Sequence, residues 1–278
     1  MGRTVWFPGH MAKGKRQLEA LAKNLDLIIE VRDARAPSLT SSPLIKLFSD
    51  RIKVAVVLSK ADLADENISK LWTSELRRSG YSAWALDLRA GGLNQLKKAL
   101  LALKPPQRDL RLAVVGVPNV GKSMLINQLA GRKSVSVGGI PGITKGVAWV
   151  KGSGFLLVDS PGILDPHGDA RAQRIISWLG ASRSEVIGSQ LEHAKQCAEF
   201  LIAHNLWKPI EDTWKISSEG TADEIIEKIG HRLGKLVAGG NVDLEAAGKA
   251  FINNIAAGKF GRMSFEKPGD APLWDSLK

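Results

Sequence analysis

Short apolar runs alternate with helically spaced stretches through the first 165 residues. The segments DLIIEV (26–31), KVAVVLS (53–59), SAWALD (82–87) and LRLAVVG (110–116) are brief, apolar and bounded by polar residues, which predicts buried strands. Between them, residues 65–79 and 92–103 have helical spacing, with Leu93, Leu96, Leu100 and Leu103 marking one buried face. KPPQRD (104–109) contains two adjacent prolines, which cannot continue a helix, and reads as a connector. Residues 121–131 predict a helix with Gly131 as its C-cap, and GVAWVKGSGFLLVDS (146–160) a hairpin turning between Gly152 and Gly154. This alternation predicts an α/β class, a mostly parallel, doubly wound sheet with one antiparallel edge.

After about residue 168 the pattern changes. Residues 170–181, 184–204, 221–237 and 243–257 read as helices, and Thr221 with Glu224 forms a capping-box pair for the third. No strand is predicted there, and HNLWKPIEDTW (204–214) and the last twenty residues read as irregular. The expected division is therefore 1–168 for the α/β domain with an N-terminal arm, and 169–278 for a small all-α domain.

Composition narrows the class. The 278 residues are 44% hydrophobic and 24% charged, as in a globular chain. A single cysteine, Cys197, rules out an internal disulfide and makes a reducing cytoplasm the expected location. No apolar run approaches membrane-spanning length, so no membrane partner is expected, and MGRTVWFPGHMAKGKRQ lacks the apolar core of a signal peptide. The net charge is +11, unevenly spread. Residues 1–165 hold 25 Lys and Arg against 13 Asp and Glu; residues 166–278 hold 14 against 15. A nucleotide pocket needs only a few cations, so the excess predicts a polyanionic partner such as RNA.

The string GVPNVGKS (116–123) joins a predicted strand to a predicted helix, the context a phosphate-binding loop requires. Its glycines let backbone amides curl around a phosphate, and the helix N-terminus adds partial positive charge. Lys122 is placed to reach the terminal phosphates and Ser123 to hold magnesium. Asn119, Val120, Gly121 and Met124 complete the nucleotide-contacting run. DSPG (159–162) follows the strand GFLLV, so Asp159 suits a magnesium role and Gly162 a γ-phosphate contact. Between them, GGIPGITKG (138–146) offers Thr144, placed to join the magnesium shell only when the triphosphate is present, which is switch chemistry.

Upstream, SKAD (59–62) ends a predicted strand. Asp62 is placed to accept from guanine N1–H and N2–H, which adenine lacks, and Lys60 to lie over the base. Ser59 stands where most GTPases carry Asn. The next strand runs through Asp87 and Leu88 into LRAGG, a loop of backbone donors for the guanine O6. In an ordinary GTPase this base-reading fragment follows the phosphate loop; here it precedes it. Loops of a parallel sheet meet at one edge whatever the chain order. If KPPQRD joins the usual termini, one circular permutation explains both fragments, and the chain leaves the switch at Gly162 directly into the helical domain.

The ordered set WFPGHMAK (6–13), DARAP (33–37), SKAD, GVPNVGKS, PGITKG (141–146) and DSPGI (159–163) resembles the circularly permuted GTPases of the YlqF/RbgA family, bacterial ribosome-biogenesis GTPases, over nearly the whole chain. The resemblance implies a GTP-hydrolysing factor that uses GTP/GDP and magnesium, binds the large ribosomal subunit precursor late in assembly through ribosomal RNA and proteins, and leaves after hydrolysis. It implies a potassium-coordinating role for Asn119, and an isoleucine, Ile163, where Ras-like proteins carry the catalytic glutamine. His10 of FPGHM is then the candidate for positioning water, the alternative being RNA contact or packing under Trp6. Catalysis is expected to rest on Lys122, Thr144 and His10, in a monomer. Two other readings are an RNA-binding placeholder with a regulatory nucleotide site and a GTPase acting in tRNA modification. His167, His193, His204 and His231 lack metal-ligand spacing and read as surface or helix residues. The eight tryptophans read as core or RNA-stacking anchors.

Overall fold

The computed structural model describes residues 16, 19–42, 45–131, 135–137, 149–159, 170–181 and 189–270. They fall into two compact units. The first holds the described residues between 16 and 159 together with Glu266–Pro268; the second holds those from 170 to 265 and 269–270.

The first unit is built on a seven-stranded sheet in the order β3-β2-β1-β4-β7-β6-β5. The strands are β1 (Leu27–Asp33), β2 (Lys53–Ser59), β3 (Ser82–Leu86), β4 (Leu110–Val115), β5 (Val135–Val137), β6 (Trp149–Gly152) and β7 (Phe155–Asp159). β1 pairs in parallel with β2 and β4, β2 with β3, and β4 with β7. Only β6 runs against its neighbours, β7 and β5. The expected antiparallel edge is thus one reversed strand covered by a further three-residue strand, β5, which is too short to leave a periodic signal. The β6–β7 hairpin turns at Ser153 and Gly154, with φ of 50° and 84°, the paired positive values of a tight hairpin turn.

The helices of this unit are α1 (Ile45–Phe48), α2 (Glu66–Arg78), α3 (Asn94–Leu101) and α4 (Lys122–Ala130). Asp65 caps α2 by accepting from the Ile68 N–H, and Gly131 ends α4 as expected. Register sets the core. Ile28 pairs with Val54 and Ala113, and Ala113 with Val158, so these residues share a face, packed with Phe48 and Trp149. On the same face, Val56, Leu58 and Ala83 form a second cluster with Leu76 of α2. Glu30 and Arg32 of β1 also lie on that face, because side chains alternate along a strand. A buried carboxylate and a partly buried guanidinium therefore sit between two apolar clusters.

The second unit comprises α5 (Ala170–Trp178), α6 (Gln190–Ala203), α7 (Lys208–Trp214), α8 (Ala222–Arg232) and α9 (Leu244–Ala256). The Thr221–Glu224 capping box is formed in both directions. α7 corrects the irregular reading of 204–214. Its signal was Pro209 in the first turn, a position proline favours, but seven residues are too few for helical periodicity to show. Trp207, Ile210 and Trp214 are buried, and Trp207 and Trp214 pack around Phe251. Of the six described tryptophans, Trp149, Trp178, Trp207 and Trp214 are buried core residues, and Trp72 and Trp84 are half-buried. His193 takes the second of its two expected places, within helix α6. It is buried, with its Nε2 3.0 Å from the Ser177 hydroxyl and its Nδ1 accepting from Trp178 Nε1 at 3.3 Å.

Candidate functional site

The parallel strands end at one edge, and the loops that follow them carry the residues singled out in the sequence. Gly116 leaves β4 at φ 151°, and a Cβ there would lie 2.3 Å from the Val31 carbonyl oxygen, so no side chain fits. Asn119 and Gly121 are left-handed, at φ 57° and 98°, and curl the chain into α4. Lys122 is buried and donates to the Val117 carbonyl at 2.9 Å. Burial lowers its pKa, against the pull of Asp159. Ser123 Oγ donates to Asp159 Oδ2 at 3.0 Å. Two hard oxygen donors thus stand together, the donor chemistry magnesium prefers. Met124 is exposed on the first turn of α4.

The base-reading fragment lies against this loop. Ser59 is fully buried; its Oγ is 2.5 Å from the Val120 carbonyl oxygen and 3.0 Å from that of Arg32. With one proton, the hydroxyl serves one of them at a time. Lys60, left-handed at φ 55°, places Nζ 2.9 Å from Asp33 Oδ2. Asp62 is half-buried, and its carboxylate has no hydrogen-bond partner among the described residues. The Ala61 N–H donates to the Leu86 carbonyl at 3.3 Å, tying this loop to the end of β3. Leu88 is buried beside Gly121, and its carbonyl accepts from Gln128 of α4. Asp87 accepts from the Arg89 N–H at 2.8 Å. The structure therefore brings 59–62, 87–88, 116–123 and 159 into one continuous neighbourhood. His10, Thr144, Gly162 and Ile163 lie outside the described residues.

Behind the base-reading loop is a charged network that sequence reasoning did not single out. Asp33 is fully buried, accepts from the Arg35 backbone and side chain at 2.8–3.0 Å, and pairs with Lys60. Burial alone would raise its pKa, but Arg35 and Lys60 overcome this and lower it. Glu30 pairs with Arg32 at 2.6 Å and accepts from the Ser42 N–H at 2.6 Å. Glu266 accepts from the Ser38 and Leu39 N–H groups at 2.9 and 2.7 Å. Burial pushes the Glu266 carboxyl up to about 7, against those two donors and Arg32. DARAP contained part of this network, but nothing local showed that a residue more than two hundred positions away would complete it.

A mostly parallel sheet with a phosphate-binding loop between β4 and α4, entered from strands that normally close the fold, defines a circularly permuted P-loop GTPase domain. Comparison with known proteins agrees. Residues 111–229 match the family described as 50S ribosome-binding GTPase, and residues 10–167 match RsgA GTPase. The chain is 35% identical over 267 residues to ribosome biogenesis GTPase A of Thermotoga maritima, covering 95% of each chain. It is 32% identical over 279 residues to the protein of that name from Bacillus cereus, covering 95% of this chain and 93% of that one. The crystal structure of GNP-bound YlqF from T. maritima superposes with a TM-score of 0.67 at 30% identity, covering 93% of this chain and all of that one. The chain belongs to the ribosome biogenesis GTPase A (YlqF/RbgA) family and is a GTP-hydrolysing enzyme.

Proposed function

We propose that this GTPase binds the large ribosomal subunit precursor late in its assembly, through ribosomal RNA and proteins, and leaves it after GTP hydrolysis. It acts as a monomer in the cytoplasm. The observation that supports its nucleotide-dependent part is the contact of Ser59 Oγ with the Val120 carbonyl, which joins two fragments sixty-one residues apart. The confined excess of positive charge supports an RNA-rich partner, as does the match to a 50S ribosome-binding GTPase family.

In this reading Lys60 and Asp62 read the guanine, with the 87–88 loop beside it. Residues 119–124 hold the phosphates. Ser123, Asp159 and Thr144 hold magnesium, and Asn119 holds potassium. Magnesium, when bound, neutralises charge on the phosphate oxygens. Lys122, already desolvated, exchanges its loop carbonyl for phosphate oxygens. An isoleucine at 163 cannot orient water, so hydrolysis by the free protein is slow; His10 supplies the positioning once the subunit is bound. Among the described residues, no helix is long and apolar enough to cross a membrane.

The test is GTP turnover with and without purified large subunits, alongside cosedimentation with subunit precursors under a non-hydrolysable analogue and under GDP. Subunits should raise turnover by at least roughly tenfold, the scale of supplying a missing water-positioning group. Cosedimentation should be strong with the analogue and weak with GDP. Lys122→Ala should abolish stimulated turnover and block maturation. If maturation proceeds normally with Lys122→Ala, the protein is an RNA-binding placeholder instead.

A further inference from the structure

The charges behind the nucleotide site are three buried acids, Glu30, Asp33 and Glu266, and three bases, of which Arg35 is buried and Arg32 and Lys60 are partly exposed. Burying ions is costly unless they are matched and hydrogen-bonded, so so balanced a set needs a structural reason. Five of the six come from β1, its following loop and the base-reading loop. The sixth, Glu266, comes from the far end of the chain, yet belongs to the same compact unit. Its carboxylate accepts from two successive backbone amides, Ser38 and Leu39. Its own carbonyl accepts from Trp72 Nε1 at 3.3 Å, which fixes residue 266 against α2.

From those amides a continuous path of hydrogen bonds runs to the base-reading loop. Ser38 and Leu39 lie in the turn that closes when the Thr40 N–H and Oγ1 donate to the Ala36 carbonyl, at 3.0 and 2.6 Å. Thr40 Oγ1 accepts from the Asp33 N–H at 2.9 Å. The Asp33 carboxylate holds Lys60. The Ala34 N–H donates to the Ser59 carbonyl at 2.8 Å, so the same turn is also tied to the backbone of the base-reading loop. Lys60 needs this support, because it holds a left-handed backbone that a non-glycine residue adopts only under local constraint.

We propose that Glu266 is a positioning residue for guanine recognition, clamping the 36–40 turn so that Asp33 holds Lys60, and with it Asp62, in the base-reading arrangement. The inference rests on the assignment of base reading to Lys60 and Asp62. Glu266 does not touch nucleotide. It should therefore affect base binding and leave the chemical step alone.

The experiment uses the full chain with Glu266→Gln and Glu266→Ala, checked for folding by thermal melting, and Asp62→Ala as the reference for loss of base reading. Dissociation constants are measured for GDP and for inosine diphosphate, which lacks the 2-amino group, and KM and kcat for GTP. Glu266→Gln keeps the volume but sets an amide NH2, a donor, against one of the two N–H groups, so it reports even where the alanine variant fails to fold. Glu266→Ala should raise the GDP dissociation constant roughly tenfold, the loss of its hydrogen bonds to the Ser38 and Leu39 N–H groups behind the loop. The preference for GDP over inosine diphosphate should shrink, KM for GTP should rise, and kcat should stay within about twofold, as for any interaction that is uniform between ground and transition states. A merely structural role would lower the melting temperature and leave the GDP preference intact. If Asp62→Ala abolishes the preference while folded Glu266→Gln and Glu266→Ala keep it, the positioning role is wrong and the base assignment stands. If Asp62→Ala also keeps the preference, both fall.

Discussion

At Ser59 the sequence raised a question about reach. Serine is shorter than the asparagine usual at that place, and it bridges the loops only where they come closer than a longer side chain would require. Here Gly121, at a φ of 98° that side chains rarely adopt, turns the phosphate loop beside Ser59. The hydroxyl then reaches the Val120 carbonyl directly. Ser59→Ala leaves that buried carbonyl without this donor, at a cost of about 1–2 kcal/mol. The expected result is GDP binding weakened by roughly fivefold to thirtyfold, the same energy as a ratio, with little change in kcat; fluorescent-nucleotide titration measures it. Single residues are where local reading is weakest, because a side chain's partner is set by what the rest of the chain brings to it. Asp62 and Lys122 stand out in the sequence by their motifs. Asp33 and Arg35 stand in the DARAP string, but neither their pairing with Lys60 nor the arrival of Glu266 shows there, because a buried ion network has no spacing rule.

Among the elements, the strands and most helices were legible, since their lengths exceed one period of the pattern that reveals them. α1, α7 and β5 were missed because each spans two turns or fewer, or a single strand repeat, too little for a period to stand out. Close approach between helices was also invisible. Gly248 of α9 lies against the start of α6, where an added Cβ would come 2.6 Å from the Gln190 carbonyl oxygen. Gly248→Ala should therefore destabilise the protein by about 1–3 kcal/mol despite alanine's better helix propensity, seen as a lower midpoint in urea. The α5–α6 contact holds a second consequence. Burial, with a smaller contribution from Arg174, lowers the His193 pKa from 6.5 to about 4. Above pH 6.5 the side chain is neutral in the folded and unfolded chain alike. Below it the unfolded chain takes the proton first, so stability falls progressively down to about pH 4, by up to ~3 kcal/mol. In His193→Gln that slope disappears, and its melting temperature should fall less than the wild type's between pH 7 and 5.

For the molecule as a whole, charge is the property that reads most directly from the chain. The excess lies in residues 1–165, while the remainder is almost neutral. Binding to large-subunit RNA should therefore weaken steeply with salt. If 6–10 phosphates are contacted, affinity should drop by about 10³–10⁵ between 50 and 200 mM salt, which filter binding across a salt series measures. A shallow slope would mean that proteins, not RNA, carry the contact.

The sequence by itself determined the α/β class, the phosphate loop and the reversed order of loops, because hydrophobic period and glycine-rich strand-to-helix junctions are local properties. The permutation follows from that order, since a parallel sheet gathers its loops at one edge however the chain is cut. Only the tertiary structure decided that Ser59 reaches Val120, that Asp33 holds Lys60, and that Glu266 closes the turn behind them. Those contacts join residues up to 228 positions apart. Their energies depend on burial and on distances of a few ångströms, which folding sets and no stretch of sequence encodes alone.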